Sequence, residues 1–263
     1  MTVVTCSASP ATDADPMVGS LLARGMLAGL VAGLLAFAFA WLFGEPQVDL
    51  AIAFETHLQQ MAGEAPEPEL VSRAVQSTAG LFTGIVVYAS ALGGIFALVF
   101  AYAHGRMGRL SPRATASVLA AAGFVTLILA PQIKYPANPP AIGEPATIGV
   151  RTALYFSMLA LSLAAAVAAF GTGRRLAPRL GAWNAAVAAG AAYVAALALV
   201  MFVLPPVNEV PSDFSATLLW RFRLASLGIE AVLWTALALL FGALAERRLA
   251  GPARRVVRPR VSG

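Results

Sequence analysis

The sequence predicts an all-α, polytopic membrane protein, a bundle of six transmembrane helices with both termini in the cytoplasm. Three observations support this fold class. The 263 residues are 59% hydrophobic and only 12% charged, about half the charged fraction of ordinary soluble domains. Six apolar runs approach the ~20 residues that a helix needs to cross a ~30 Å hydrocarbon layer. The basic residues cluster beside alternate ends of these runs, as in proteins embedded in a lipid bilayer.

The N-terminal segment, residues 1–16, is polar and contains no lysine or arginine. It therefore lacks the basic region of a signal peptide, and we predict a disordered leader. Cys6 is the single cysteine of the chain, so no internal disulfide is expected and the thiol is interpreted as inert. Translation from Met17 is an alternative to Met1, because an apolar run follows it directly. The predicted transmembrane domain comprises residues 17–246.

The first span is predicted at residues 21–43, and its glycines recur every four residues. Gly25, Gly29 and Gly33 would form one small-residue face that lets a neighbouring helix approach closely. The alternative is that glycine is simply common in membrane helices. The second span carries a similar set at Gly80, Gly84, Gly93 and Gly94. We expect Gly44-Glu45-Pro46 to end the first span.

An amphipathic helix is predicted at residues 48–61, after the first span. Its apolar residues Leu50, Phe54, Leu58 and Met61 recur at helical spacing. Such a helix lies along a membrane surface with its apolar face towards the lipid.

The later spans follow from the same hydropathy pattern, punctuated by proline. They are predicted at residues 79–102, 114–130, 148–170, 182–204 and 218–244. Ser111-Pro112 is expected to begin the third span, and Pro131 to end it. The connection that follows contains five prolines between residues 131 and 147, which predicts a stiff loop. The basic C-terminal tail, residues 247–263, has no apolar periodicity and is predicted to be disordered.

The distribution of charge predicts the orientation. Thirteen of the eighteen lysines and arginines fall in segments on the side of the N-terminus, and nine of the thirteen acids fall on the opposite side. The positive-inside rule therefore predicts that both ends are cytoplasmic. Because the basic residues lie beside spans, the net charge of +5 gives no reason to expect nucleic-acid binding.

The three predicted hairpins share a weak pattern. Each outer loop opens at a proline and returns to the membrane near an arginine: Arg73, Arg151, and Arg221 or Arg223. One interpretation is three helix hairpins related by a pseudo-threefold axis along the membrane normal. The other is that outer loops commonly begin with proline, and the pattern leaves both open.

Glu230 is the most deeply placed ionisable residue, near the middle of the sixth span. A carboxylate that faces lipid costs at least a few kcal/mol, so the side chain should face other helices or a wet cavity. It is a candidate residue of a transport path or of proton coupling, and the alternative is a structural ion pair. Arg223 lies on the same face but roughly 10 Å along the helix, so direct pairing is not expected. Arg223 is a further candidate for the transport path, together with Asn208, Glu209 and Asn138.

The predicted outer side concentrates oxygen ligands. Glu209, Asn208 and Asn138 are candidates for the lining of an outer vestibule, and otherwise they are ordinary turn residues. His57, with Glu55 or Asp49, is a candidate metal ligand at the entrance, and the alternative is a solvated histidine. Such oxygen-rich sites suit divalent cations that are bound weakly and must leave again.

The chain carries none of the motifs of soluble enzymes that we sought. It has no Walker A loop, no H-E-x-x-H and no G-x-S-x-G. With only two histidines, it also cannot form a His-rich metal site by itself. We therefore predict a protein that is not an enzyme and has no tightly bound cofactor.

Three strings carry a family resemblance. They are SLLARGMLAGLVAGLLAFAFAWLFGEPQVDLAIAFE, KYPANPPAIGEPATIGVRTALYF and LPPVNEVPSDFSATLLWRFRLASLG. Together they resemble the CbtA family, proposed cobalt transporter subunits of bacteria, over residues 17–244. The resemblance implies import of cobalt ions for cobalamin synthesis across the bacterial inner membrane. It also implies a small single-span partner, CbtB, with a His-rich end. The family is usually described with five spans, whereas the hydropathy pattern predicts six.

The function predicted is that of the membrane subunit of a divalent cation importer, with cobalt as the transported ion. The alternative is a membrane scaffold or assembly subunit that does not transport and binds another subunit through its glycine faces. An intramembrane enzyme is a third interpretation, disfavoured because no paired nucleophile and base are visible.

Overall fold

The computed structural model describes residues 14–63 and 71–249, and every regular element in these ranges is helical. The α-helices are α1 (Ala14–Phe39), α2 (Glu45–Ala62), α3 (Arg73–Val75), α4 (Leu81–Ala103), α5 (Pro112–Gly123), α6 (Ala130–Lys134), α7 (Ile148–Val203) and α8 (Ala216–Leu249). Three π-helical turns, Ala40–Gly44, Gln76–Gly80 and Phe124–Leu129, join successive helices. Most of the predicted leader and tail lies outside the described residues.

Five helical segments are long and apolar enough to cross a membrane. They are Met17–Ala62, Arg73–Ala103, Pro112–Lys134, Pro145–Val203 and Ala216–Leu249. The prediction of an all-α membrane protein is confirmed at this level. The count differs from the predicted six at one place, because the predicted spans 148–170 and 182–204 form the single continuous element α7.

Helix α7 turns back on itself near Gly181. This glycine has non-helical torsions of φ 78° and ψ 159° inside the 56-residue element. The hydroxyls of Ser162 and Tyr193 are 3.0 Å apart although 31 residues separate them, a distance that a straight helix would extend to about 46 Å. The two halves of α7 therefore pack side by side as a hairpin, with the reversal between the two predicted spans.

Two prolines that were expected to end spans lie inside continuing helical structure, so the helical structure does not end there. Pro46 is in the first turn of α2, and Pro131 is in the first turn of α6. Each follows a π-helical turn; in the first, the Glu45 N–H donates to the Ala40 carbonyl five residues back. Because proline lacks an N–H and its ring clashes with the carbonyl four residues back, the wider turn lets the helix continue past it.

The described chain divides into two compact units. Unit 1 comprises residues 14–37, 81–120 and 233–249, and unit 2 comprises residues 38–63, 71–80 and 121–232. The larger parts of α1 and α5, all of α4 and the second half of α8 thus form unit 1. The remaining elements, including the whole of α7, form unit 2.

In unit 1, α1 and α4 approach each other through glycines. A Cβ added at Gly25 would overlap the carbonyl of Gly93, and one added at Gly29 would overlap the carbonyl of Ala89. The predicted close-packing face of the first span is confirmed. Gly84 does not take part, because a Cβ there would meet nothing within 4 Å.

One end of unit 1 gathers polar side chains from three segments that the charge pattern assigns to the cytoplasm. Arg113, at the start of α5, forms an ion pair of 2.6 Å with Glu246 near the end of α8. Arg248 donates to the Ser20 hydroxyl at 3.2 Å. The loop after α4, the start of α1 and the end of α8 therefore meet at the same end of this unit.

In unit 2, α2 packs against two proline-containing loops, residues 135–147 before α7 and residues 204–215 after it. Ala51 is buried together with Ile142 and Phe214, and the rings of Phe54 and Phe214 lie edge to face at 5.0 Å. The helix starts three residues before the predicted 48–61 and ends one residue later. Its position along a membrane surface stays a prediction.

Candidate functional site

Unit 2 contains a cavity of about 240 Å³ between the proline-containing loops and the first turns of α7 and α8. We call this cavity the loop pocket. Its lining combines two arginines, one carboxylate, two amides and two tyrosines with apolar side chains. The lining residues are Tyr135, Pro136, Asn138, Ile142, Arg151, Tyr155, Val207, Asn208, Glu209, Val210 and Arg223.

The loop pocket brings together four of the five residues predicted for a transport path. Arg223, Asn208, Glu209 and Asn138 all line it. They come from α8 and from two loops separated by about 70 residues of sequence. These four residues therefore share one cavity, while its position as an outer vestibule and its role in transport stay predictions.

Glu209 connects both loops to α7. Its Oε2 accepts the Glu144 N–H at 2.8 Å and lies 3.3 Å from Nε of Arg151. The Thr147 hydroxyl, the Glu144 N–H and the Arg151 charge lower the pKa of Glu209 below its ordinary value of 4.5. The Thr147 hydroxyl also lies 2.9 Å from the Glu144 carbonyl, but it has only one proton to donate. The charged carboxylate of Glu209 is the stronger of the two acceptors, so the hydroxyl proton favours it. Glu209 is thus held ionised at neutral pH.

Arg223 connects α8 to the first proline-containing loop. Its Nη2 donates to Oδ1 of Asn138 at 2.8 Å, and its Nε donates to the Ala137 carbonyl at 3.3 Å. Nearby, the Tyr135 hydroxyl donates to the Pro205 carbonyl at 2.8 Å, which joins the two loops. Hydrogen bonds between distant segments therefore fix the shape of the pocket.

Glu230 lies about two helical turns beyond Arg223 on α8 and is half-buried. Its Oε2 is buried, and the carboxylate interacts electrostatically with Tyr155 of α7, which lines the loop pocket. Glu230 therefore lies near α7, and whether its carboxylate faces other helices or a wet cavity stays a prediction. It is not among the lining residues of the pocket.

The π-helical turn Ala40–Gly44 packs beside Glu230. A Cβ added at Gly44 would contact Cδ1 of Ile229, and one added at Gly228 would overlap the ring of Phe39. Gly44 at the end of the turn and Phe39 just before it therefore lie next to the two residues that precede Glu230 on α8. Such turns are frequent at functional sites, because the irregular hydrogen bonding lets local structure shift.

A second polar group lies deeper in unit 2. Ser162 is fully buried, and its hydroxyl donates to the Thr126 carbonyl at 2.8 Å and lies 3.0 Å from the Tyr193 hydroxyl. Thr126 belongs to the π-helical turn Phe124–Leu129, whose irregular ladder leaves carbonyls available to side chains. The serine therefore satisfies a buried backbone group.

Sequence reasoning missed three residues on one face of α7. Arg151, Tyr155 and Ser162 follow one another at intervals of four and seven residues, which places them on the same side of a helix. The first two line the loop pocket, and the third lies deeper. Their spacing was a usable signal, but each is an ordinary residue in a membrane helix when considered alone.

The three residues predicted as metal ligands at the entrance do not converge. Asp49 accepts a hydrogen bond from Arg73 at 3.0 Å, and Glu55 and His57 are two residues apart on α2, which places them on opposite sides of the helix. Across residues 14–63 and 71–249, no group of three histidine, cysteine, aspartate or glutamate side chains could hold a metal ion. The ligand role of His57 stays a prediction.

A family model matches residues 18–246, and its description is "Probable cobalt transporter subunit (CbtA)". The chain belongs to the CbtA family. The match covers every residue of the loop pocket and also Glu230, so these residues are part of the family domain. No curated protein and no solved structure shows significant similarity to the chain. Membership of the CbtA family and the long apolar helices identify a multi-pass membrane protein of a cobalt transporter family.

Proposed function

We propose that this CbtA-family protein is the membrane subunit of a cobalt importer of the bacterial inner membrane, which supplies cobalamin synthesis. The observation that carries the proposal is the family match over residues 18–246. Its support in the structure is a polar cavity whose lining residue Tyr155 interacts with Glu230, at the ends of helices long enough to cross a membrane.

In this proposal the chain crosses the membrane six times, with both termini in the cytoplasm. The hairpin in α7 supports the sixth crossing, because each half is long enough to span ~30 Å. The charge distribution supports the orientation, with the turn near Arg174, Arg175 and Arg179 on the cytoplasmic side. The loop pocket then opens towards the outer side.

The proposed path leads from the loop pocket past Glu230. Asn208 and Glu209 in the lining and Glu230 beside Tyr155 supply oxygen ligands along this path, and Asn138, whose Oδ1 accepts from Arg223, lies next to them. A divalent cation would be held weakly by such a set and could leave again, as transport requires. Glu230 would relay the cation or a coupled proton.

A small His-rich membrane protein of the CbtB type would be the partner subunit that completes the transporter. The chain has two histidines, and the part of it that the structure describes gathers no three-ligand metal site. Imidazole ligands suited to cobalt would therefore come from the partner.

The test is uptake of radiolabelled cobalt by a bacterial strain that lacks other cobalt importers. Wild-type chain expressed with its small partner should restore uptake, and Glu230→Gln should reduce it at least tenfold at equal membrane abundance. Uptake that is the same with and without the chain would refute the proposal.

The scaffold alternative is weakened by one observation. The glycine face at Gly25, Gly29 and Gly33 packs against α4 of the same chain, so it is not available to bind another subunit. Glu230→Gln also separates the two functions. A scaffold should keep both partner association and cobalt uptake after this change, because a buried carboxamide preserves the shape of the side chain.

A further inference from the structure

The loop pocket offers more hydrogen-bond donors than its own acceptors use. A guanidinium has five N–H donors, and contacts within the described residues occupy two nitrogens of Arg223, Nε and Nη2. Arg151 contributes a second guanidinium, of which Nη2 donates to the Glu144 carbonyl at 3.3 Å and Nε is paired with Glu209. Tyr155 and Asn208 add a hydroxyl and an amide. Hydrogen-bond donors at the cavity wall therefore remain available to a ligand.

Two side-chain acceptors of the lining are already engaged. Glu209 is the one carboxylate of the lining, and its Oε2 both accepts the Glu144 N–H and pairs with Arg151. Oδ1 of Asn138 accepts from Arg223. Two arginines against one glutamate leave the lining with an excess of one positive charge. A half-buried positive charge is stabilised by an anion, because its hydration is incomplete.

The walls and volume of the cavity suit a small anionic group. Ile142, Val207 and Val210 supply apolar surface, which lowers the local dielectric and strengthens the charge interactions. A cavity of about 240 Å³ has the volume of about eight waters. The planar fork of a guanidinium matches carboxylate and phosphate oxygens.

We propose that the loop pocket binds a ligand that carries a carboxylate or phosphate group, with Arg223 and Arg151 as the residues that recognise it. The site holds this anion whether or not cobalt is the ion transported. A bound anion would also neutralise the excess charge of the lining and so make the pocket more favourable for a divalent cation.

A second cavity next to the loop pocket means that the anionic group could belong to either of two kinds of ligand, a lipid or a soluble anion. It has a volume of about 450 Å³ and is lined by Ile148, Thr152 and Phe156 together with Arg151 and Tyr155, which it shares with the loop pocket. A lipid could place its phosphate at Arg151 and an acyl chain against Phe156, which is 60% exposed. A soluble anion would instead enter the loop pocket alone.

The experiment uses the full chain in dodecyl maltoside, a detergent with neither phosphate nor carboxylate. In one arm, citrate and inorganic phosphate are titrated and binding is measured by calorimetry. In the other arm, phosphatidylglycerol is added to the micelles and its retention is measured by native mass spectrometry. At least one arm should show saturable binding, and Arg223→Gln should weaken it at least tenfold.

Arg221→Gln is the matched control, because Arg221 is exposed on the same helix and does not line the pocket; its binding should equal that of wild type. Asn208→Asp is a second test that keeps both arginines and adds a repelling charge, so it should also weaken binding. The proposal is overturned if wild type binds no more tightly than Arg223→Gln in both arms. It is also overturned if Arg221→Gln weakens binding as much as Arg223→Gln does. Cobalt uptake is measured separately, so loss of the transport proposal leaves this result unaffected.

Discussion

The ionised carboxylate of Glu209 stabilises the folded protein, and this stabilisation is lost at acidic pH. Because its pKa in the folded protein is lowered by Thr147, Glu144 and Arg151, the unfolded chain takes up a proton first as the pH falls. The contribution is therefore fully present above the ordinary pKa of 4.5 and is lost as the pH falls through the lowered value.

Glu209→Gln should therefore lower the thermal unfolding temperature at pH 7, and the difference from wild type should stay constant down to about pH 5. Below pH 4.5 the difference should shrink. Melting curves of both proteins in detergent between pH 3 and pH 7 measure it. A difference that grows as the solution becomes more acidic would contradict the assigned role. Asp213→Asn, an exposed neighbour in the same loop, is the control.

Gly29 allows α1 and α4 to touch, and a larger side chain there should separate them. Gly29→Val places atoms where the Ala89 carbonyl lies, so we expect a loss of about 1–3 kcal/mol or more from overpacking. Gly84→Val is the matched control, since nothing lies within 4 Å of a Cβ at that position. Thermal unfolding of the two variants should differ clearly, and equal melting temperatures would contradict close packing.

Single side chains were predictable from sequence to different degrees. Asn138, Asn208 and Glu209 could be grouped from the sequence because polar residues in loops predicted on one side of a membrane are excluded from the hydrocarbon layer and collect on that side. Arg151 and Tyr155 were missed because their partners lie in other segments, and sequence spacing carries no information on which helices become neighbours. The same reason explains why Asp49 was taken as a metal ligand while it binds Arg73.

Among the helical elements, α7 depends on the backbone of Gly181. Its φ of 78° and ψ of 159° belong to a region that residues with a Cβ rarely adopt. Gly181→Ala should cost about 1–3 kcal/mol and loosen the contact between Ser162 and Tyr193. Gly190→Ala is the control, because Gly190 is helical with open space around it and alanine there stabilises by up to about 1 kcal/mol. Thermal unfolding compares the two, and equal effects would contradict a strained turn.

The two π-helical turns before Pro46 and Pro131 show where element boundaries escape sequence reasoning. Proline is a sound signal for the end of a helix, and the sequence Gly44-Glu45-Pro46 strengthened it. The structure keeps both prolines in the first turn of a new helix, because an extra residue in the preceding turn removes the clash. No pattern of side chains in the sequence indicates the extra residue, so the sequence alone could not show that the helical structure continues past either proline.

Across the whole chain, contacts between the second and third hairpins bear on the number of membrane crossings. Glu144 precedes α7 and Glu209 follows it, yet the N–H of one donates to the carboxylate of the other at 2.8 Å. Arg223 reaches back to Asn138 at 2.8 Å. Both ends of α7 are therefore close together, which supports the proposal that the chain crosses the membrane twice between them. Hydropathy predicted this pair of spans, but the exchange of contacts between the hairpins was not predictable from it.

Cysteine labelling in intact cells would decide between one and two crossings of α7. In a Cys6→Ser background, Ala146→Cys and Ser212→Cys place thiols at exposed positions before and after α7, and Arg175→Cys places one at its turn. With two crossings, a membrane-impermeant maleimide should label the first two from outside and Arg175→Cys only after permeabilisation. With one crossing, the residues before and after α7 would be labelled from opposite sides. That outcome would be incompatible with the hydrogen bond between Glu144 and Glu209, and with the loop pocket itself, because both loops must share one side to enclose it.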